Sequence, residues 1–198
     1  MHRLIPLAAL LTISATITAC SHDGRTLRPP NPNQTLSIVT TTVPPSTTAP
    51  SLSLILPFAD GGAIDARFTC KAAGGGSGIS PGVSWGAVPA GTVELALVVT
   101  DPDAGGFVHW VLAGINPNAI NTVPEGAVPA GIHQATNSAG KVGWAGPCPP
   151  SGTHHYVFTL HALSEPSGIT DGMPAADALN LIKGRSVAKA VVTATFGV

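Results

Sequence analysis

The stretch Asn137–Leu163, NSAGKVGWAGPCPPSGTHHYVFTLHAL, indicates most about the fold of this chain. Its first half is a loop rich in Gly and Pro, and the turn Gly146–Pro150 cannot be helical because proline fixes φ and removes backbone donors. Its second half has the two-residue period of a β-strand. One face of this strand would carry Tyr156, Phe158, Leu160 and Ala162. The stiff turn beside two histidines and a tyrosine hydroxyl predicts a small polar pocket.

Four further segments have the pattern of strands. Apolar residues alternate in Leu52–Leu56 and Val93–Thr100, and Val187–Phe196 has a similar pattern. Phe107–Ile115 is almost continuously apolar, as a strand buried on both faces would be. Clusters of Gly and Pro separate these segments and indicate turns.

Helical spacing occurs in one segment near the C-terminus. Pro174 suits the first helical position, Ala178 and Ile182 recur at helical spacing, and Gly184 is placed to end the helix. Many strands and one late helix predict a mainly β fold. We expect an antiparallel two-sheet β-sandwich with one short helix near the C-terminus.

The composition limits the classes of function. Of the 198 residues, 44% are hydrophobic and only 10% are charged, and the formal net charge is −1. A surface that binds nucleic acid is therefore not expected. Residues 51–198 have the length of one ordinary domain and enough apolar residues for its core.

Residues 1–20 are expected to direct export. The apolar run Leu4–Ile17 is shorter than the ~20 residues of a membrane span and fits a signal peptide. Ile17–Cys20 resembles the bacterial lipobox, in which the cysteine is lipidated and becomes the mature N-terminus. We predict a lipid anchor at Cys20 that holds the protein on the outer side of the bacterial cell membrane; a plain secretory signal is the alternative.

Residues 21–50 are dense in Thr, Pro, Ser and Asn. Such a segment cannot bury enough apolar surface to offset the entropy of ordering it. We therefore expect a flexible tether between the anchor and the domain of residues 51–198.

The segment Thr100–Val111, TDPDAGGFVHWV, adds acidic and imidazole groups to the predicted pocket. Asp101 follows one strand and His109 lies in the next, so the two could face one cleft. Pairing with a carboxylate would fix the tautomer of the imidazole and raise its pKa, which suits anion binding. Asp103 is expected to cap the turn instead.

Three motifs occur in an order and spacing that resemble one family, the phosphatidylethanolamine-binding proteins, which include Raf kinase inhibitor protein and short bacterial relatives. The motifs are Ile79-Ser80-Pro81 with Trp85, Asp101-Pro102-Asp103-Ala104 with His109-Trp110-Val111, and Gly146–Pro150 with His154-His155-Tyr156. The resemblance spans Leu52–Val198. It implies a two-sheet antiparallel fold with a pocket for phosphate-type groups such as a phospholipid headgroup. The ligand-binding residues that it implies are Asp101, His109, Gly146, Cys148, Pro149, His154 and Tyr156.

The chain departs from the family pattern in three places. Gly105 and Gly106 stand where the family has proline after DPDA, which predicts a looser pocket rim. His155 holds a position where Arg is frequent. The long C-terminal helix of the animal proteins is missing, so their kinase-binding role does not transfer.

Two kinds of chemistry beyond simple binding are disfavoured by the sequence. A metal site on Asp101, Asp103, His109, His154 and His155 is disfavoured because no HxxxH or HExxH spacing occurs. The adjacent strand residues His154 and His155 must also point to opposite faces, so at most one of the two could be a ligand. Gly82–Gly86 matches the GxSxG hydrolase elbow, but a strand rather than a helix is expected after it. We expect no metal, cofactor or catalytic residue.

Cys70 and Cys148 are the cysteines that remain after Cys20. In an exported protein an even pair indicates a disulfide. Two separate buried thiols are the alternative, and a Cys148 nucleophile is disfavoured because no catalytic base can be identified.

The sequence therefore predicts a non-enzymatic protein that binds a small anionic ligand or phospholipid headgroup, with stronger binding as the pH falls. One alternative is an inhibitor that docks a protease or kinase at the pocket rim. A second is a hydrolase that uses the Asp and His cluster.

Overall fold

The computed structural model describes residues 51–70, 76 and 78–197, and strands dominate this part of the chain. The strands are β1 (Leu54–Ile55), β2 (Val83–Trp85), β3 (Glu94–Asp101), β4 (Phe107–Ile115), β5 (Thr122–Val123), β6 (His133–Gln134), β7 (Thr153–Leu163) and β8 (Ser186–Gly197). The helix α1 spans Ala175–Arg185, and short 3₁₀ turns occupy Ala66–Phe68 and Pro102–Ala104. The predicted signal peptide, Cys20 and the predicted tether lie outside the described residues.

The strands form two sheets in which every pair of neighbouring strands is antiparallel. The larger sheet has the order β6-β4-β3-β7-β8, and the smaller has the order β1-β2-β5. This confirms the predicted fold class. The long strands follow the segments found in the sequence, and β4 covers the predicted residues. The strand predicted in Leu52–Leu56 was too long, because only Leu54 and Ile55 pair with β2.

Two apolar clusters cover the two faces of the larger sheet. The first lies between the sheets and contains the side chains predicted to share one face of β7, with Trp110, Leu97 and Phe68. The second lies under α1 and contains Val98 and Val111 from the sheet with Ala178 and Ile182 from the helix. Strand β4 is buried on both faces for this reason.

The predicted end of the helix was wrong. Helix α1 continues through Gly184 to Arg185 and passes directly into β8 at Ser186. Ser186 has a φ of −73°, so no left-handed residue ends the helix. Gly184 is exposed, and a Cβ at this position would meet no atom within 4 Å. The last turn of the helix therefore does not require glycine. Pro174 caps the helix and is not its first residue.

The strand register brings the site residues to one end of the larger sheet. The turn Pro102–Ala104 connects β3 to β4, and Asp101 pairs with Phe107 across this hairpin. Strand β7 lies on the other side of β3 and begins at the same end, because Thr100 pairs with Val157. The end of β3 and the starts of β4 and β7 therefore lie side by side at one end of the larger sheet. Among the described residues, no helix is long and apolar enough to cross a membrane.

Candidate ligand-binding site

A cavity of about 200 Å³ opens at this end of the larger sheet. All seven residues implied by the family motifs line it, and they are joined by Ala104, Phe107, Ala139, Ala145 and Pro150. None of the described lining residues is Lys or Arg. The titratable groups of the cavity are therefore those of Asp101, His109, His154 and Tyr156.

Asp101 organises the polar part of the cavity. It is 3% exposed, and its Oδ1 accepts a hydrogen bond from the Ala104 N–H at 3.0 Å, which caps the 3₁₀ turn. Its Oδ2 lies 2.7 Å from Nδ1 of His154. An ionised carboxylate only accepts hydrogen bonds, so Nδ1 of His154 carries the hydrogen.

Asp101 and His109 face one cavity, as expected, but the shorter hydrogen bond of His109 is to a backbone carbonyl. Nδ1 of His109 donates to the carbonyl oxygen of Ala145 at 2.6 Å, and its Nε2 lies 4.0 Å from Oδ2 of Asp101. His109 is packed against the rings of Phe107 and Tyr156. Burial lowers its pKa more than the Ala145 carbonyl and the Asp101 charge raise it, so the ring is neutral at neutral pH.

A β-bulge explains how His109 reaches the cavity. Val99 pairs with Trp110 and Thr100 with Val108, so β4 has one residue more than β3 at this point. Successive side chains of a regular strand point to opposite faces, and a bulge changes the direction of one of them. Here Trp110 packs in the cluster between the sheets while its neighbour His109 contacts Tyr156 on the same side.

Tyr156 forms the floor of the cavity and is fully buried. Its hydroxyl has no hydrogen-bond partner in the described part of the chain. Burial, followed by the charges of Asp101 and Asp103, raises the pKa of Tyr156 well above its usual range. The hydroxyl thus keeps its hydrogen and can donate it to a ligand.

Asp103 has another role than the turn cap that was expected. Its Oδ2 accepts from the N–H and from Nδ1 of His155, at 2.7 and 2.8 Å. These hydrogen bonds lower the pKa of Asp103 and tie the β3–β4 turn to the outer side of β7. Asp101, placed in the pocket by the sequence analysis, both caps the turn and lines the cavity.

Two backbone hydrogen bonds hold the turn that contains Gly105 and Gly106. Gly105 and Gly106 have φ values of 67° and 82°, which favour glycine. The Gly105 N–H donates to the Pro102 carbonyl at 3.3 Å, and the Gly106 N–H donates to the Asp101 carbonyl at 2.9 Å. The hydrogen bonds close the turn over the cavity.

A covalent bond holds the opposite wall. Cys70 and Cys148 form a disulfide, as predicted, across 78 positions of sequence. The Cys70 N–H also donates to the Pro147 carbonyl at 3.0 Å. A Cβ at Gly146 would lie 2.8 Å from the carbonyl oxygen of Phe68, so only glycine permits this approach.

Sequence analysis missed two supports of the site. The Ala145 carbonyl fixes the tautomer of His109, and Trp144 packs against the His109 ring while its Nε1–H donates to the Phe68 carbonyl at 3.0 Å. A backbone carbonyl leaves no signal in residue type. Trp144 also packs against the first cluster, where large aromatic residues usually lie, so its residue type does not indicate a role at the site.

The structure offers no support for the other chemistries. Within the described ranges, no group of three or more His, Cys, Asp and Glu side chains is arranged to hold a metal ion. Ser84 of the GxSxG match lies in strand β2, and its hydroxyl donates to Oγ1 of Thr122 at 3.1 Å. A hydrolase elbow places its serine between a strand and a helix.

The fold and the cavity define a β-sandwich binding domain, and comparison with known proteins identifies its family. The model of the phosphatidylethanolamine-binding protein family matches residues 55–197. The chain belongs to this family.

Similar proteins occur in bacteria and archaea. A Mycobacterium tuberculosis protein named "Putative lipoprotein LppC" is 41% identical over 90% of this chain and 90% of its own. A UPF0098 protein of Methanothermobacter thermautotrophicus is 40% identical over 67% of this chain and 89% of its own. Among solved structures, Escherichia coli YbcL, described as a member of the mammalian PEBP family, has a TM-score of 0.69 and 25% identity over 75% of this chain and 99% of its own.

Proposed function

We propose that this protein binds, without chemical turnover, a small ligand with a phosphate-type group, such as a phospholipid headgroup, in the cavity above Tyr156. The observation that carries the proposal is the Tyr156 hydroxyl, which is buried, lines the cavity and lacks a partner among the described residues. A buried hydroxyl without a partner is unfavourable. An acceptor oxygen of a ligand would satisfy it.

His154 would supply the second donor to the ligand. Its Nδ1–H is used by Asp101, so Nε2 carries a hydrogen only when the ring is an imidazolium. The imidazolium also supplies the positive charge that the cavity otherwise lacks, because no described lining residue is Lys or Arg. Affinity for an anion should therefore increase as the pH is lowered.

His109 would supply an acceptor. Its Nδ1–H is used by the Ala145 carbonyl and its lowered pKa keeps the ring neutral, so Nε2 has a free lone pair beside Asp101. A ligand with acceptor oxygens and a donor group, such as phosphoethanolamine with its ammonium, matches both kinds of group. This favours a zwitterionic headgroup over inorganic phosphate.

The size of the cavity fits this ligand class. Pockets for drug-sized molecules have about 300–1,000 Å³. The cavity has about 200 Å³. It would hold a headgroup and leave a longer substituent outside the rim.

Calorimetric titration tests the proposal. The full chain, in mild detergent, is titrated with phosphoethanolamine and with phosphate at mildly acidic and mildly alkaline pH. We expect binding that weakens at the higher pH and is lost in His154→Ala. His155→Ala is the matched control, since His155 is the next residue and bonds Asp103 on the opposite face; it should bind like the wild type. Equal affinity at both pH values would contradict the proposal.

Binding is favoured over catalysis because the motifs and the cavity provide no nucleophile with a matched base. Inhibition of a protease or kinase at the rim is the alternative. It predicts stoichiometric inhibition and a protein complex that forms without phosphoethanolamine. Turnover lost with a chelator would instead indicate a hydrolase.

We also propose that Cys20 is lipidated and that residues 21–50 tether the domain outside the cell membrane. The name of the M. tuberculosis relative supports this, since the similarity covers 90% of both chains. Cell fractionation tests it. The wild type should occur in the membrane fraction and Cys20→Ala should not.

A further inference from the structure

A second and larger cavity lies on the other face of the main sheet. It is a groove of about 550 Å³ between α1 and the outer surfaces of β3, β7 and β8. Its lining includes Asn180 and Lys183 from α1 and His161 and Lys189 from the sheet. None of these residues lines the cavity above Tyr156.

The groove concentrates positive charge. Lys183 comes from the last turns of α1, and Lys189 comes from β8, where it pairs with His161 of β7. No Asp or Glu is among the described residues that line the groove. Arg67 and Arg185 form ion pairs with glutamates. Among the described residues, Lys183 and Lys189 form no ion pair with a carboxylate.

The positive charge of Lys189 affects the pKa of His161, which lines the groove. Burial and then the positive charge of Lys189 lower the pKa of His161, so that this ring is neutral at neutral pH. Nδ1 of His161 lies 2.9 Å from the hydroxyl oxygen of Ser186. The groove thus has two lysine ammonium groups whose charge no lining carboxylate offsets.

The remaining surface of the groove is both apolar and hydrogen-bonding. Val98 and Ile182 are buried and form an apolar floor, with Leu179 beside them. Thr100, Thr159 and Asn180 add neutral polar side chains. The volume lies in the range of sites for small organic ligands, and the groove combines an apolar floor with polar and charged side chains.

We propose that this groove is a second binding site, which takes a small organic anion with an apolar body and a phosphate or carboxylate group. The anionic group would lie between the ammonium groups of Lys183 and Lys189, and the apolar body would cover Val98 and Ile182. The headgroup cavity above Tyr156 is not involved, and the two sites can be tested separately.

A purely structural role explains only one of the two lysines. A cation in the last turn of a helix interacts favourably with the helix dipole, and Lys183 is in that position. Lys189 lies on a strand and has no such role. The response of Lys189 variants therefore distinguishes a ligand site from helix stabilisation.

The test is an NMR titration of the full chain carrying His154→Ala, which removes the proposed donor of the first cavity. The probe is 1-naphthyl phosphate, with 1-naphthol as its neutral counterpart. We expect saturable shifts at the amides of Val98, Thr159 and Leu179, and affinity that decreases with added salt because exposed charges are screened.

Matched variants decide whether the lysines bind the probe. Lys183→Gln and Lys189→Gln should each weaken binding by about tenfold, the usual effect of losing a charged hydrogen bond. Lys141→Gln, on an exposed lysine elsewhere, should leave binding unchanged, and thermal melting checks that each variant is folded. No saturable shift in the groove, equal affinity for 1-naphthol, or unchanged affinity in Lys189→Gln would overturn the proposal.

Discussion

Nδ1 of His154 and Oδ2 of Asp101 are 2.7 Å apart, and the carboxylate that accepts this hydrogen bond is almost fully buried. The same carboxylate accepts from the Ala104 N–H through its other oxygen. One aspartate therefore fixes both the turn over the cavity and the tautomer of the histidine within it. Nε2 of His154 can donate to a ligand only after the ring gains a second proton.

Asp101→Asn should remove the pH dependence of ligand binding. The amide oxygen can still accept from Ala104, while the amide nitrogen can donate to Nδ1 of His154, so that the neutral ring carries its hydrogen on Nε2. Calorimetry with phosphoethanolamine should show binding at mildly alkaline pH that the wild type lacks. Asp103→Asn, on the outer face, should keep the wild-type pH profile. Loss of binding by Asp101→Asn at every pH would show that the carboxylate itself contacts the ligand.

Tyr156→Phe should have opposite effects on stability and on binding. It deletes a buried hydroxyl that has no partner in the described part of the chain, so the free energy of unfolding without ligand should rise by roughly 1 kcal/mol. Affinity for phosphoethanolamine should fall by about tenfold, because a donor to the ligand is lost. Denaturant titration and calorimetry measure the two effects. A loss of stability would indicate that the hydroxyl is satisfied in the empty protein.

Most of the fold could be predicted from the sequence, because the long strands have clear patterns. β4 is almost continuously apolar because it is buried on both faces, and β7 alternates because one of its faces is more buried than the other. Short strands were missed. β5 and β6 have two residues each, which is too short for a period to appear, and they are defined only by pairing with β2 and β4.

The residues that line the cavity could be predicted from the sequence, whereas most of their hydrogen-bond partners could not. The family motifs named seven residues, and all seven line the cavity. The hydrogen-bond partner of His109 depends on the β-bulge in β4 and on the position of the Ala145 backbone carbonyl. Neither feature can be recognised from residue types. The bulge in β4 lies at His109, whose Nδ1 donates to the Ala145 carbonyl, while the short hydrogen bond of Asp101 is to His154.

Removal of the disulfide should destabilise the domain. The bond closes a loop of 78 positions, and loss of such a bond costs about 2–5 kcal/mol. Cys70→Ser with Cys148→Ser should lower the free energy of unfolding by that amount, measured by urea titration. Wild-type protein in reductant should behave in the same way, and reactivity of two thiols in the unreduced wild type would contradict the bond.

The stability of the folded chain should fall as the pH is lowered below about neutrality. Burial lowers the pKa of His109 and of His161 below the ordinary value of 6.5, which applies to the unfolded chain. The unfolded state therefore binds protons first as the pH falls through 6.5, and the free energy of unfolding decreases until the folded-state pKa values are reached. Urea titrations across this range should show the decrease, and His109→Gln should reduce its slope. A free energy of unfolding that is constant over this range would contradict the lowered pKa values.

Gly146→Ala should show how closely the loop beside the cavity approaches its neighbour. The new Cβ would lie 2.8 Å from the Phe68 carbonyl oxygen and 2.9 Å from the Cys70 nitrogen, and both are backbone atoms that cannot rotate away. We expect a loss of about 1–3 kcal/mol in the free energy of unfolding. Weaker binding of phosphoethanolamine should follow, because Cys148 and Pro149 on this loop line the cavity.

Gly184→Ala is the matched control. Its Cβ would meet no atom within 4 Å, and in a helix the change should stabilise the fold by about 0.5–1 kcal/mol. Equal effects of the two substitutions in urea titrations would show that the loop can move away from Phe68, and that the cavity wall is set by the disulfide alone.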